Sequence, residues 1–175
     1  GVAHQYLFIL RLYRDVSGIQ MPTDVDLNIC SSCFPSQSIN MPQYGPAMLA
    51  PTLFDCVDQN APGTVTMEVY EYRKVANLPG ACQDFEFITE SLNARNGAID
   101  NLTLASANGN LVIEASLNNY SGNNSSPKFV SEPVRAFCVG QQFNWKQSAI
   151  DKDGDSLFFR LIEPKGGPFN QVCSS

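Results

Sequence analysis

The stretch Thr23-Asp24-Val25-Asp26-Leu27-Asn28-Ile29 alternates strictly between polar and apolar side chains. In an extended chain successive side chains point to opposite faces. Val25, Leu27 and Ile29 therefore share an inward face, and Asp24, Asp26 and Asn28 an outward one. Upstream, Tyr6-Leu7-Phe8-Ile9-Leu10-Arg11-Leu12-Tyr13 is largely apolar on both faces, the pattern of a central strand covered on both sides. Asp15-Val16-Ser17-Gly18 separates the two stretches as a turn. Downstream, residues 33–62 carry Pro35, Pro42, Pro46, Pro51 and Pro62. Proline removes ladder donors, so this region is predicted to be mostly loop with one short strand.

The period of two continues. Residues 64–73 are β-branched and aromatic, with Val65, Met67 and Val69 on one side. Asn77-Leu78-Pro79-Gly80 is a turn, and residues 83–89 form a short strand carrying Phe85 and Phe87. Residues 99–105 and 110–117 flank Asn108-Gly109, a two-residue hairpin signal. No amphipathic helix exceeds two turns. Many short strands between turn signals predict an antiparallel sandwich. Residues 118–127 lack any aliphatic side chain and read as a linker. Strands are predicted after it at 129–139, 142–145 and 158–162. The remaining residues are too few for a sandwich of about 100 residues, so this second unit is expected to be cut short or completed from outside the chain.

Composition narrows the function classes. The chain has 175 residues, 43% of them apolar, with 11 Phe, 6 Tyr and 1 Trp, enough for a sizeable core. Only 16% are charged and the net charge is −6, which leaves no electrostatic footprint for nucleic acid. No apolar run approaches the roughly 20 residues of a membrane span. A single histidine, His4, excludes multi-His metal chemistry. The 6 cysteines are even in number and widely spaced, which favours disulfides in an oxidising compartment. The chain opens at Gly1 without an initiator Met, as expected of a mature protein or a fragment.

Asp151-Lys152-Asp153-Gly154-Asp155 sets three carboxylates at alternate positions around a glycine. Oxygen at this density suits calcium; the competing reading is a polar turn whose aspartates cap their own backbone. The spacing is not that of an EF-hand. Cys30-Ser31-Ser32-Cys33 resembles half of a zinc or redox motif, but no second CxxC and no nearby histidine accompany it. It is either a local disulfide or two cysteines that bridge elsewhere. Catalysis has little support. A nucleophilic triad would depend on His4, and Asp84 and Glu86 lie on one face of a strand, not across a cleft. Glycosylation sequons begin at Asn101, Asn119, Asn123 and Asn124.

These residues resemble a known family. "LRLYRD" (10–15), "TMEVYEYRKVANLPGACQDF" (66–85), "ARNGAIDNL" (94–102), "EASLNN" (114–119), "NSSPKF" (124–129), "CVGQQFNW" (138–145) and "AIDKDGDSLFFRLIEP" (149–164) occur in collinear order. Together they resemble a domain of large secreted Bacteroidota surface proteins, the gliding-motility-associated adhesins exported by the type IX system. The last third is similar to a cadherin-like, dystroglycan-type repeat, through Asn124 and Pro127 and then Asp151, Asp153 and Asp155. The resemblance implies that Asp151, Asp153, Asp155 and Asn124 ligate calcium near a domain junction. Family members often carry a Cys-Cys pair where Asn93 and Ala94 stand here, so their disulfide pattern does not transfer.

The fold class expected is all-β: an immunoglobulin-like antiparallel sandwich over 1–122, then a partial, incomplete cadherin-like unit over 123–175. The function expected is a structural and adhesive module of an extracellular, cell-surface protein or filament, without catalysis. The partners expected are neighbouring domains or copies of the same chain, joined by strand addition through the N-terminal segment, and a surface glycan or substratum. The alternative is a carbohydrate-binding module using Tyr44, Tyr70, Tyr72 or Trp145 as stacking platforms.

Overall fold

A computed structural model of the chain describes residues 4–50, 66–92, 111–122, 124–131, 140, 142, 144, 146, 148–162 and 173. Within them lie β1 (Gln5–Asp15), β2 (Asp24–Cys30), β3 (Gln37–Pro42), β4 (Met48–Leu49), β5 (Met67–Asn77), β6 (Phe85–Leu92), β7 (Leu111–Leu117), β8 (Lys128–Phe129) and β9 (Ala149–Ile150). One sheet has the order β1-β5-β4 and a second the order β3-β2-β6-β7, while β8 pairs with β9. Every pairing is antiparallel. The protein is all-β, of a generic sandwich kind. The chain changes sheet between β1 and β2, between β3 and β4, and between β5 and β6. The core therefore lies between the sheets, where Leu12, Tyr70 and Tyr72 meet Val25, Met41 and Phe85.

The strand β2 follows its alternation: Val25, Leu27 and Ile29 are buried, and Asp24 and Asp26 are exposed. A slip of one residue against β3 would turn the whole apolar set to solvent, which pins the pairing of Val25 with Met41 and Leu27 with Ile39. The proline-rich region holds two strands, β3 and β4, where one was expected. Pro42 is tolerated because it is the last residue of β3, an edge strand.

Two expectations need correction. First, β1 is not covered on both sides. Tyr6, Phe8, Leu10 and Leu12 face the core, but Leu7 and Ile9 stay 55% and 50% exposed, beside exposed Val75 opposite Leu7. Backbone bonds Leu78 N–H to His4 O (2.9 Å) and Val16 N–H to Thr66 O (2.8 Å) fix the even-numbered residues as those bonded toward β5. By strand alternation the amides of Gln5, Leu7 and Ile9 point to the other edge. Among the described residues β5 is the strand that pairs with β1.

In β5 the core-facing side is that of Tyr70 and Tyr72, while Met67 and Val69 are half-buried. Tyr70 and Tyr72 are buried, and each phenol has a polar partner. The Tyr72 hydroxyl donates to Pro22 O (2.8 Å), and the Tyr70 hydroxyl donates to Glu68 Oε2 (3.0 Å). Bulky rings reach the mid-plane between sheets, and their satisfied hydroxyls remove the usual penalty for burying oxygen.

Second, residues 158–162 form no strand. Phe158 and Leu161 are 85% and 103% exposed, and no described segment pairs with their backbone. The predicted segment 99–105, the Asn108-Gly109 turn and most of 129–145 lie outside the described residues. The expected linker contains a buried residue, Asn119, whose side chain bonds to the backbone of Gly80 and Cys82.

Candidate functional site

The sequence brings the β2–β3 connection and the β5–β6 connection together at one end of the sandwich. Cys33 and Cys82 form a disulfide there with Cα atoms 6.0 Å apart, and Cys30 bridges to Cys173 with Cα atoms 5.5 Å apart. The Cys30–Cys33 pair thus bridges elsewhere twice rather than closing on itself. Cys56 and Cys138 lie outside the described residues.

Cys82 is fully buried, whereas Cys33 is exposed. Asn119 holds the turn around Cys82. Its Oδ1 accepts the Cys82 N–H (2.8 Å), its Nδ2 donates to Gly80 O (3.3 Å), and its own N–H donates to Cys82 O (3.1 Å). Both ends of this amide are used, so the sequon at Asn119 is a structural residue and not an open glycan acceptor. Phe34 packs its ring against the Gly80 backbone and stacks on Phe85 with centroids 6.1 Å apart. A Cβ at Gly80 would lie 2.8 Å from Phe34 Cζ, so glycine lets the ring sit close.

Asp84 completes this cluster. Its Oδ1 lies 2.8 Å from Cys82 Sγ, and its carboxylate accepts the Ser32 N–H at 3.2 and 3.3 Å. A disulfide sulfur carries no proton, so the sulfur–oxygen approach is a contact and not a hydrogen bond. Ligand atoms of Cys33, Cys82 and Asp84 lie within 4.8 Å of one another. Metals bind thiolate, and a disulfide has none to offer, so in the oxidised chain this trio is a covalent clamp beside a carboxylate. The CxxC spacing leaves open a local disulfide or two bridges elsewhere and does not name Cys82 as a partner. The signal for Asp84 was its place two residues after Cys82, just ahead of a strand.

The aspartate loop has a different geometry. Asp151 Oδ1 accepts the N–H groups of Asp153 (2.8 Å) and Asp155 (3.3 Å), the self-capping arrangement of a polar turn. Gly154 supplies the left-handed conformation, φ +87°, that the turn requires. Asp153 Oδ2 reaches across to the Ser125 N–H at 2.7 Å, which brings the loop beside Asn124. Among the described residues, the carboxylates of Asp151, Asp153 and Asp155 do not converge within 4.8 Å as a set.

On the outer face of the β1–β5 ladder, Glu71 is a buried carboxylate flanked by two guanidinium groups. Arg11 Nε donates to it at 2.8 Å and Arg73 Nε donates to its other oxygen. Burial pushes the Glu71 carboxyl up, but Arg11 and Arg73 outweigh it and hold the group below the usual glutamate value. The Arg73 guanidinium covers the Tyr44 ring at 3.9 Å.

Tyr70 and Tyr72 are not an exposed sugar platform, since both rings are buried. Tyr44 is exposed, and Trp145 lies outside the described residues. His4 sits at a positive φ of 60° and its carbonyl caps the β1–β5 ladder, a backbone role. No helix among the described residues is long and apolar enough to cross a membrane. No family model, no curated protein and no solved structure matches this chain.

Proposed function

We propose that the chain is a structural and adhesive module of a bacterial extracellular surface protein or filament, acting by mechanics and not by catalysis. The observation that carries this reading is the nested covalent closure. Cys30–Cys173 spans 143 positions and encloses Cys33–Cys82, which spans 49. Such bridges form and persist in oxidising compartments, and they limit how far a domain lengthens under load. In this proposal the first seven strands form the immunoglobulin-like sandwich of 1–122, and β8 with β9 opens the cadherin-like unit of 123–175.

Partners enter through the edge of β1. The outward amides of Gln5, Leu7 and Ile9, beside exposed apolar side chains, suit strand addition by a second copy or a neighbouring domain. No charge, proline or bulge interrupts residues 5–10 to discourage such pairing. A surface glycan or substratum is the adhesive target in the same proposal. Calcium joins it at Asp151, Asp153, Asp155 and Asn124, where a bound ion would stiffen the loop already tied to Ser125.

Antibody labelling of intact, unpermeabilised source cells tests the location, with alkylation of free thiols before lysis. The proposal expects surface labelling with Cys33 and Cys82 protected from alkylation. Labelling only after permeabilisation, with both cysteines alkylated, contradicts it. Thermal unfolding in millimolar calcium and then in excess EDTA tests the ion. A shift that Asp153→Ala abolishes supports calcium, and identical curves remove it from the proposal.

A further inference from the structure

We propose that Cys33, Cys82 and Asp84 are a redox-gated site for a thiophilic divalent cation: closed as a disulfide, open as a three-ligand metal site when the bridge is reduced. The proposal is independent of the surface role above, because it concerns the reduced chain.

Contacts other than the bridge hold these residues in place. Cys82 is fixed by two Asn119 hydrogen bonds to its backbone, by a third from Asn119 to Gly80 O in the same turn, and by burial, and Asp84 is fixed by the Ser32 N–H. Cys33 follows Ser32 directly, so the contact that orients Asp84 also keeps Cys33 within reach. Reduction therefore leaves two sulfurs and a carboxylate oxygen around one point. Their present spread, within 4.8 Å, needs only modest adjustment to reach Zn–S bonds of about 2.3 Å and a Zn–O bond of about 2.0–2.2 Å. Cys33 and Asp84 are exposed, so water can fill the fourth tetrahedral position.

Bound by both thiolates and the Asp84 carboxylate, a divalent cation neutralises two of three negative charges. The chemistry balances in two steps. A small dithiol reductant gives two electrons and two protons to the disulfide and is itself oxidised to a disulfide. The two thiols then release two protons as the cation takes both thiolates and Asp84. Oxidation by a disulfide or oxygen-derived oxidant re-forms the bridge and ejects the cation.

The test titrates the full chain, reduced with an excess of small dithiol that is then removed without air, with Co²⁺ alone. The ultraviolet thiolate-to-cobalt charge-transfer band reports binding. The proposal expects one saturable cobalt per chain in the C30S/C173S variant, which keeps the site. It expects loss of that cobalt in C33S. D84N keeps the Ser32 acceptor but loses the charge, and affinity should fall at least about tenfold. An unchanged band in C33S, an unchanged affinity in D84N, or no band in the reduced C30S/C173S chain each overturns it. If reduction unfolds the chain, cobalt must restore the near-ultraviolet dichroism of C30S/C173S, must need at least about tenfold more cobalt to do so in its D84N derivative, and must not restore it when C33S is added. Failure to do so is equally decisive.

Discussion

Changing Cys33 to Ser opens the inner bridge with little disturbance to packing, because Cys33 is exposed. The bridge closes a span of 49 positions in the unfolded chain. Chain-entropy arithmetic for that span gives about 4 kcal/mol at 25 °C. The figure is an upper value, since the outer Cys30–Cys173 closure already restrains the unfolded ensemble around it. The expected loss is about 2–4 kcal/mol, which for a chain of this size lowers Tm by about 4–16 °C. Urea unfolding followed by fluorescence should also show a steeper dependence on denaturant, as the unfolded state becomes more open. Cys82→Ala should cost more than Cys33→Ser, because Cys82 is fully buried and its removal also leaves a small void. A loss below about 1 kcal/mol for Cys33→Ser, with an unchanged slope, refutes the idea that this bridge clamps the two connections.

Other outcomes follow from single interactions. Asn119→Ala strips the Cys82 N–H of its side-chain acceptor in a buried turn, and equilibrium unfolding should show a loss of about 1–3 kcal/mol. Tyr72→Phe should cost about 1 kcal/mol through the lost bond to Pro22. Burial, then Tyr70 and Asp24, push the Tyr72 phenol up to about 12 from an ordinary 10.0, so its proton stays on the folded chain after an unfolded one would lose it. Its contribution is full below pH 10.0 and is lost as pH rises toward about 12, a fall that Tyr72→Phe should remove from a stability–pH curve. Glu71 has the opposite sign. Its folded value is depressed, so its contribution is present above the ordinary 4.5 and is lost as pH falls below it. Glu71→Gln should flatten that acid limb in denaturant titrations. Gly154→Ala should cost about 1–2 kcal/mol, because φ +87° is strained for any residue with a Cβ.

The parts of the fold that were legible in the sequence are those where one face is polar. The Asp24, Asp26, Asn28 series leaves only one way to orient β2, and the Asp15–Gly18 turn closes with the Gly18 N–H on Asp15 O as its residues imply. The ambiguous strands are those apolar on both faces. Tyr6 to Tyr13 reads as buried twice over, yet Leu7 and Ile9 face solvent, because alternation cannot say whether a second layer exists. In β5 the β-branched side competes with the tyrosine side, and the tyrosines prevail because Pro22 and Glu68 satisfy their hydroxyls. Asn119 looked like linker because hydrogen bonding to a distant turn leaves no local pattern. For the same reason the pairing of Cys33 with Cys82, and the approach of Asp84 to it, came only with the fold. For the aspartate loop the sequence offers both calcium and a polar turn, and the Asp151 capping needs only neighbours in sequence.

The central claim is that covalent closure, more than the sheets, limits how far this chain lengthens under force. Single-molecule stretching between the chain ends, before and after reduction, addresses it directly. With the outer bridge intact, the 143-position span between Cys30 and Cys173 stays closed, and only the residues outside it lengthen, by about 110 Å. Reduction should release a further length of about 500 Å. An oxidised chain that already extends to the reduced length would contradict the account.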